Sequence, residues 1–138
     1  MSLHVITVYH NTGDPFTTYT SGDSLRELIS HCRELPEITK PEQLAQWLFG
    51  VLNADLEFLE QARQNAGGES GFLLACTYRL LGFRSLSVGD VVAVRVGHSA
   101  TWLACAPAGW HRIQRPEQPA QGSLVTAISH VLRTRRHG

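Results

Sequence analysis

Arginine and aromatic side chains are interleaved along residues 84–113, and this is the strongest chemical feature of the sequence. Guanidinium groups neutralise phosphates and aromatic rings stack on unpaired bases, so the mixture is typical of surfaces that bind single-stranded nucleic acid or form protein hot spots. The same aromatic residues suit a hydrophobic core equally well. The candidate binding residues in this region are Arg84, Arg95, Trp110, His111 and Arg112.

A second group of arginines lies at the C-terminal end. Ser123 is a suitable helix cap, and the helical spacing of the apolar residues after it predicts a final helix whose inward face carries Leu124, Ile128, Val131 and Leu132. The exposed side and tail would carry Arg133, Arg135 and Arg136. These arginines would contact phosphates without reading base sequence, or would only complement the helix dipole.

Charge is divided unevenly along the chain, although the net charge is zero. Residues 1–70 carry a net charge of −6 and residues 71–138 a net charge of +6. Such a division can steer a polyanion to one face, or pair the two halves within one molecule or between copies. The nucleic-acid hypothesis requires the arginines to gather on one side, unpaired by the carboxylates of the first half.

No catalytic, metal-binding or cofactor motif is present. The seven histidines are scattered, the three cysteines form no C-x-x-C pair, and both G-x-S-x-G and a phosphate-binding loop are absent. We therefore predict no catalytic residue, no metal ligand and no cofactor. A small ligand-binding or hydrolytic barrel that uses Asp90, His111 or Cys105 is a remote alternative.

The composition is that of an ordinary globular protein, with 43% hydrophobic and 17% charged residues. An odd number of widely spaced cysteines, with neither a signal peptide nor a long apolar run, predicts a cytoplasmic protein without a membrane partner. The length predicts one domain over residues 1–138, with an exposed linker at 114–122 before the last helix.

The first half is predicted to contain two strands and several helices. Val5–Tyr9 alternates as a strand, and Phe16–Thr20 would return as a second one after a turn. Ser24 and Glu27 form a capping-box pattern before a helix that buries Leu25, Leu28, Ile29 and Cys32. Thr39 and Glu42 repeat that pattern, Pro41 suits a first turn, and a helix follows on Leu44, Trp47, Leu48 and Val51. Asp55 would either cap a further segment with Leu56, Leu59 and Ala62 or continue into it.

The second half is predicted to begin with a helix and continue as strands. Ser70 would cap a helix that buries Phe72, Leu73, Cys76 and Leu80 and ends at Gly82. The turn Val88-Gly89-Asp90 leads to a strand with Val92, Val94 and Val96 on one face, then a hairpin loop and a returning strand over 101–106. The predicted fold is α+β: a small bent antiparallel sheet or partial β-barrel, built from the N-terminal strands and residues 88–113 and covered by helices.

One stretch also resembles known sequences. Arg84-Ser85-Leu86-Ser87-Val88-Gly89-Asp90-Val91-Val92, followed by Trp102, Ala104, Cys105 and Gly109-Trp110, resembles small uncharacterised bacterial proteins. These are typical of GC-rich actinobacteria and are often carried on plasmids, prophages or conjugative elements. The resemblance covers residues 84–113, and more loosely Val5 to Tyr19. It implies a mobile-element accessory protein, and it assigns no catalytic residue.

Together these observations predict a non-enzymatic binding module with nucleic acid as the favoured partner. The alternative is a protein–protein or self-association module. In that case the acidic half of one copy would meet the basic half of another, and the protein would be a homo-oligomer.

Overall fold

The computed structural model describes residues 1–14, 16–117 and 120–121 and has an α+β architecture, as predicted. Its sheet is open, and the strand order is β5-β4-β3-β1-β2-β6. All neighbouring strands are antiparallel except β2 and β6. The elements are β1 (Ser2–Asn11), β2 (Leu25–Leu35), α1 (Pro41–Asn53), α2 (Leu56–Gln61), α3 (Gly68–Leu80), β3 (Val91–Val96), β4 (Ser99–Ala106), β5 (Gly109–Ile113) and β6 (Ala120–Gln121).

Strand alternation gives the sheet two different faces. One face packs on the helices and forms the main core, where Ile6, Val92 and Leu103 meet residues such as Leu48 of α1 and Tyr78 of α3. The opposite face, which we call the open face, holds a smaller cluster, to which no helix of the described residues contributes. That cluster consists of Tyr9, Leu25, Val91, Ala93 and Ala104, with Tyr19, Trp102 and Ile113 packed against it.

The helix predicted over Leu25–Cys32 is wrong, because residues 25–35 form strand β2. The ladder between β1 and β2 shifts register after the pair Val8–Ile29, so that Leu28 is an extra residue in β2. Such a bulge allows both Leu28 and Ile29 to enter the core, and apolar spacing of this kind mimics a helix. Ser24 caps no helix; its carbonyl oxygen instead accepts a hydrogen bond from the Thr12 amide.

The strand predicted over Phe16–Thr20 is also wrong, since residues 17–20 are irregular. The helix predicted on Leu44, Leu48 and Val51 is confirmed as α1. Its predicted cap is wrong: the Gln43 side chain accepts a hydrogen bond from the Lys40 amide, whereas Thr39 and Glu42 were predicted to form the capping pair. Asp55 does cap α2, because its carboxylate accepts the Glu57 N–H.

Helix α3 begins at Gly68, after Gly67 at a φ of 74°, and not at a Ser70 cap. It buries Gly71, Leu74, Ala75 and Tyr78. The predicted inward residues Leu73 and Leu80 are 54% and 87% exposed. Both sets of residues have helical spacing, so the spacing alone does not select the buried one.

The predicted strands of the second half are confirmed as β3 and β4, and they are joined by a tight turn at Gly97-His98. Gly82 has the positive φ, 76°, expected after α3. Within the predicted linker, Ala120–Gln121 forms β6 beside β2. The helix predicted from Ser123 lies outside the described residues.

Candidate nucleic-acid interface

Arg84 is held in an internal ion pair. Its two terminal nitrogens donate to the two carboxylate oxygens of Asp90 at 2.7 and 2.8 Å. The backbone N–H groups of Asn11 and Ser87 donate to the same carboxylate, each at 2.9 Å, and Asp90 is fully buried. This arrangement joins the end of β1, the segment after α3 and the start of β3. Arg84 is therefore not a free charge, and we remove it from the candidate interface.

Arg112 and Trp110 point to the helical side of the sheet. The Arg112 guanidinium makes two hydrogen bonds to the Glu42 carboxylate of α1, at 2.8 and 3.1 Å. The Trp110 ring packs edge-on against Phe49, with 6.4 Å between ring centroids. The prediction that the arginines gather unpaired on one side is therefore wrong for Arg84 and Arg112, because carboxylates of the same chain neutralise them. The Arg112–Glu42 pair also joins the acidic and basic halves within one molecule.

Arg95 and His111 lie on the open face, at exposed positions of β3 and β5. Their register places them there, since Arg95 follows Ala93 at the strand repeat of two and His111 is paired with Ala104. The candidates Arg133, Arg135 and Arg136 lie outside the described residues.

An aromatic pair occupies the middle of the same face. Tyr9 of β1 and Trp102 of β4 have ring centroids 5.2 Å apart and planes inclined by 36°. Trp102 is half-buried, so part of its ring is open to a ligand, whereas Tyr9 is buried beneath its neighbours. Trp102 pairs with Ala93, which lies one strand repeat, about 7 Å, from Arg95. The Trp102 ring and the Arg95 guanidinium therefore lie side by side on this face.

Charged groups of both signs lie on this face: the arginines Arg95 and Arg115, and the carboxylate of Glu27, which is paired in register with Tyr9. No ion pair engages either arginine within the described part of the chain. Both lie close enough to Tyr9 for their charges to act on its phenol. Burial, together with the nearby Glu27 carboxylate, nevertheless raises the pKa of Tyr9 to about 12, so the hydroxyl stays neutral and serves as a hydrogen-bond donor to Glu27.

A loop carries a third aromatic residue, Tyr19, to the edge of this cluster. The loop passes close to the turn before β3. Gly89 has a φ of 95°, and a Cβ atom at this position would lie only 2.3 Å from the Thr17 carbonyl oxygen. Glycine is therefore required there both by the backbone conformation and by the approach of the loop.

The sequence did not indicate Tyr9, Tyr19 or Arg115 as part of a site. The alternation Val5-Thr7-Tyr9 does predict that Tyr9 shares a face with its strand neighbours. Placing it beside Trp102, however, requires the register of β1 against β3, which joins residues 9 and 91.

In the remote hydrolytic alternative, Asp90 and Cys105 do lie close together, because the Cys105 N–H donates to the Asp90 carbonyl oxygen at 2.8 Å. Neither side chain is free to react. Cys105 is buried, and this burial raises the pKa of its thiol to about 11, so the nucleophilic thiolate is scarce at neutral pH. Asp90 is already occupied by Arg84, and His111 lies on the open face. Among residues 1–14, 16–117 and 120–121, no group of three or more His, Cys, Asp or Glu side chains is placed to hold a metal ion.

His10 is the most strongly perturbed histidine of the described region. Its Nε2–H donates to the Tyr78 hydroxyl at 2.8 Å, because that hydroxyl itself donates to the Arg84 carbonyl oxygen. Burial lowers the pKa of His10 from 6.5 to about 4, although the Asp90 charge opposes the shift. The imidazole is therefore neutral in the folded protein at pH 7.

We expect this histidine to make folding pH-dependent. The unfolded chain takes up a proton on His10 near pH 6.5 whereas the folded chain does not, so stability should fall as the pH decreases from 6.5 to about 4. Urea unfolding should give a lower midpoint concentration at each lower pH for the natural chain. In His10→Gln, the share of this decrease that comes from protonation of His10 should vanish. An unchanged pH profile in the variant would contradict the assignment.

Comparison with known proteins adds no relative: no family model matches the chain, and neither does any curated protein or solved structure. No helix in the described part of the chain is long and apolar enough to cross a membrane.

Proposed function

We propose that this protein binds single-stranded nucleic acid on the open face of its sheet. The observation that carries the proposal is a half-exposed Trp102 next to Tyr9, with Arg95 on the neighbouring strand one strand repeat from the partner of Trp102, Ala93. Aromatic rings on a sheet accept unpaired bases, because every base has a flat apolar face. Arginines beside them attract the phosphates.

The internal ion pairs narrow the interface to one side of the sheet. Arg84 and Arg112 serve the fold. Among the described residues, Arg95, Arg115 and His111 are the candidate phosphate-binding groups around the aromatic pair, and the Glu27 carboxylate beside them accepts a hydrogen bond from Tyr9. A site with few cations and a central ring favours unpaired bases over a duplex, since duplex binding without base contacts depends almost entirely on phosphate neutralisation. Association with a mobile genetic element remains a prediction from the resemblance of residues 84–113.

A salt titration tests the proposal. Fluorescence anisotropy should detect binding of a labelled single-stranded oligonucleotide at low salt, tighter than binding of the matched duplex. The logarithm of the affinity should fall linearly with the logarithm of the salt concentration. The double variant Arg95→Gln/Arg115→Gln should flatten that slope by about 1.4, from about 0.7 for each lost phosphate contact.

The matched control is the charge-neutral double variant Arg112→Gln/Glu42→Gln, which removes a paired arginine on the opposite face. Its slope should equal that of the natural chain. Absence of binding at low salt, or equal effects of the two double variants, would refute the proposal.

Self-association between unlike-charged halves makes a different prediction. It should appear in sedimentation as a salt-sensitive oligomer without any nucleic acid present. A monomer of constant size at all salt concentrations would count against that alternative and leave the nucleic-acid proposal untouched.

A further inference from the structure

Helix α3 carries two apolar stripes, and only one of them is covered by the described residues. Gly71, Leu74, Ala75 and Tyr78 face the core. The second set, which we call the outer stripe, lies at i, i+3, i+4 and i+7 and consists of Leu73, Cys76, Thr77 and Leu80. Leu80 is 87% exposed and Leu73 is 54% exposed. A helix that is apolar on both sides is typical of one buried between two layers.

The position of α3 relative to β2 indicates what can reach the outer stripe. The Ser70 hydroxyl lies 2.9 Å from His31 of β2, and the Tyr78 hydroxyl lies 2.8 Å from His10, which pairs with Arg26 of β2. Helix α3 therefore runs antiparallel to β2, and its C-terminal end lies close to Arg26.

Strand β6 brings the chain to that same end. Ala120 and Gln121 pair with Arg26 and Glu27, and β6 runs parallel to β2. A segment that continues in this direction after Gln121 runs antiparallel to α3, from the Leu80 end toward the Leu73 end. Residues 123–132 would span about 15 Å as a helix, which exceeds the roughly 10 Å from Leu73 to Leu80.

We propose that residues 123–132 dock as an amphipathic helix on the outer stripe of α3. Their own apolar stripe consists of Leu124, Ile128, Val131 and Leu132. Their attachment at Gln121 makes the contact intramolecular, and short tethers give effective concentrations in the millimolar range, well above that of a second copy in solution.

Charge favours the same occupant. The described residues include all twelve acidic residues against nine basic ones, a net charge of −3. Residues 122–138 hold the remaining three arginines and no acidic residue. The segment and the described residues taken as a whole therefore carry opposite net charges.

Disulfide trapping in the full-length chain tests the docking, because Cys76 already lies in the outer stripe. In a Cys32→Ala background, Leu124→Cys, Ile128→Cys and Val131→Cys are made one at a time and oxidised. A disulfide requires Cα atoms within about 7 Å. We expect at least one of the three to form a bond to Cys76 within the monomer, located by peptide mapping, at least tenfold faster than the control.

The control is Thr126→Cys, which lies on the opposite side of the proposed helix because each residue turns about 100°. Equal bonding rates for Thr126→Cys and the stripe positions, or no bond at all, would overturn the proposal. Bonds formed only between copies would overturn it as well and would assign the outer stripe to a second copy.

A second measurement does not depend on the new cysteines. Leu80→Gln in the full-length chain should lower the melting temperature by ~4 °C or more if the outer stripe is covered, whereas a freely exposed leucine in the last helical turn tolerates this uncharged, helix-compatible change. The matched control is Ile38→Gln, since Ile38 is 90% exposed and lies away from α3, between β2 and α1. Equal effects of the two substitutions would contradict the docking.

Discussion

Replacing Asp90 with asparagine should lower the free energy of unfolding by about 3 kcal/mol. The carboxylate is fully buried and accepts hydrogen bonds from Arg84 and from the backbone amides of Asn11 and Ser87. Asparagine presents an NH₂ group to one side of this ring of donors, so buried donors lose their acceptor and the guanidinium loses its counter-charge. Urea unfolding at neutral pH, followed by circular dichroism, measures the change.

The matched control for this substitution is Asp14→Asn, at an exposed position. It should change the free energy of unfolding by less than about 0.5 kcal/mol. A similar small effect at Asp90 would mean that the ion pair with Arg84 contributes no net stability, and that the surrounding strands hold the turn by themselves. Because Arg84 is partly exposed, with 47% of its side chain accessible, we expect the loss of backbone acceptors to account for much of the effect.

Replacing Trp102 with leucine should weaken single-stranded nucleic-acid binding about ten- to a hundredfold, because stacking of a base on an aromatic ring contributes about 1–3 kcal/mol. Leucine keeps an apolar side chain over Ala93 and Tyr9, so the sheet should remain folded. Anisotropy titration with the labelled single strand at fixed salt measures the loss.

The control for this second prediction is Trp110→Leu. Trp110 lies on β5, next to β4, but faces the helices and Phe49. The Trp110→Leu variant should bind the oligonucleotide with the same affinity as the natural chain. If both variants lose affinity equally, the effect is one of folding; if Trp102→Leu binds normally, the open face is not the binding surface.

The sequence predicted the hairpin β3–β4 and helix α1 well, because local signals determine them. Alternating valines, a turn at Gly97-His98 and a regular apolar stripe need no knowledge of distant residues. Strand β2 was mistaken for a helix because its bulge places Leu28 and Ile29 together in the core. The decisive information, the pairing of β2 with β1, is absent from any short window.

The candidate site was predictable only in part, for a related reason. Residue types indicated arginines and aromatic rings, and two of them, Arg95 and His111, do share the open face. Which arginines are neutralised depends on tertiary contacts, such as the approach of Glu42 to Arg112 across the fold. The composition of residues 84–113 therefore predicted the chemistry of the surface but not its members.

The strand order has a consequence for how the chain is made. β1 lies at the centre of the sheet, yet one of its two neighbours, β3, is separated from it by roughly 80 positions, as in the pair Tyr9–Val91. During synthesis the β1–β2 hairpin can form early, but one edge of β1 stays unpaired until β3 leaves the ribosome. Non-local pairing of this kind slows folding, and until β3 pairs with β1 it leaves an aggregation-prone strand edge exposed. Chaperone dependence during expression is the practical result we anticipate.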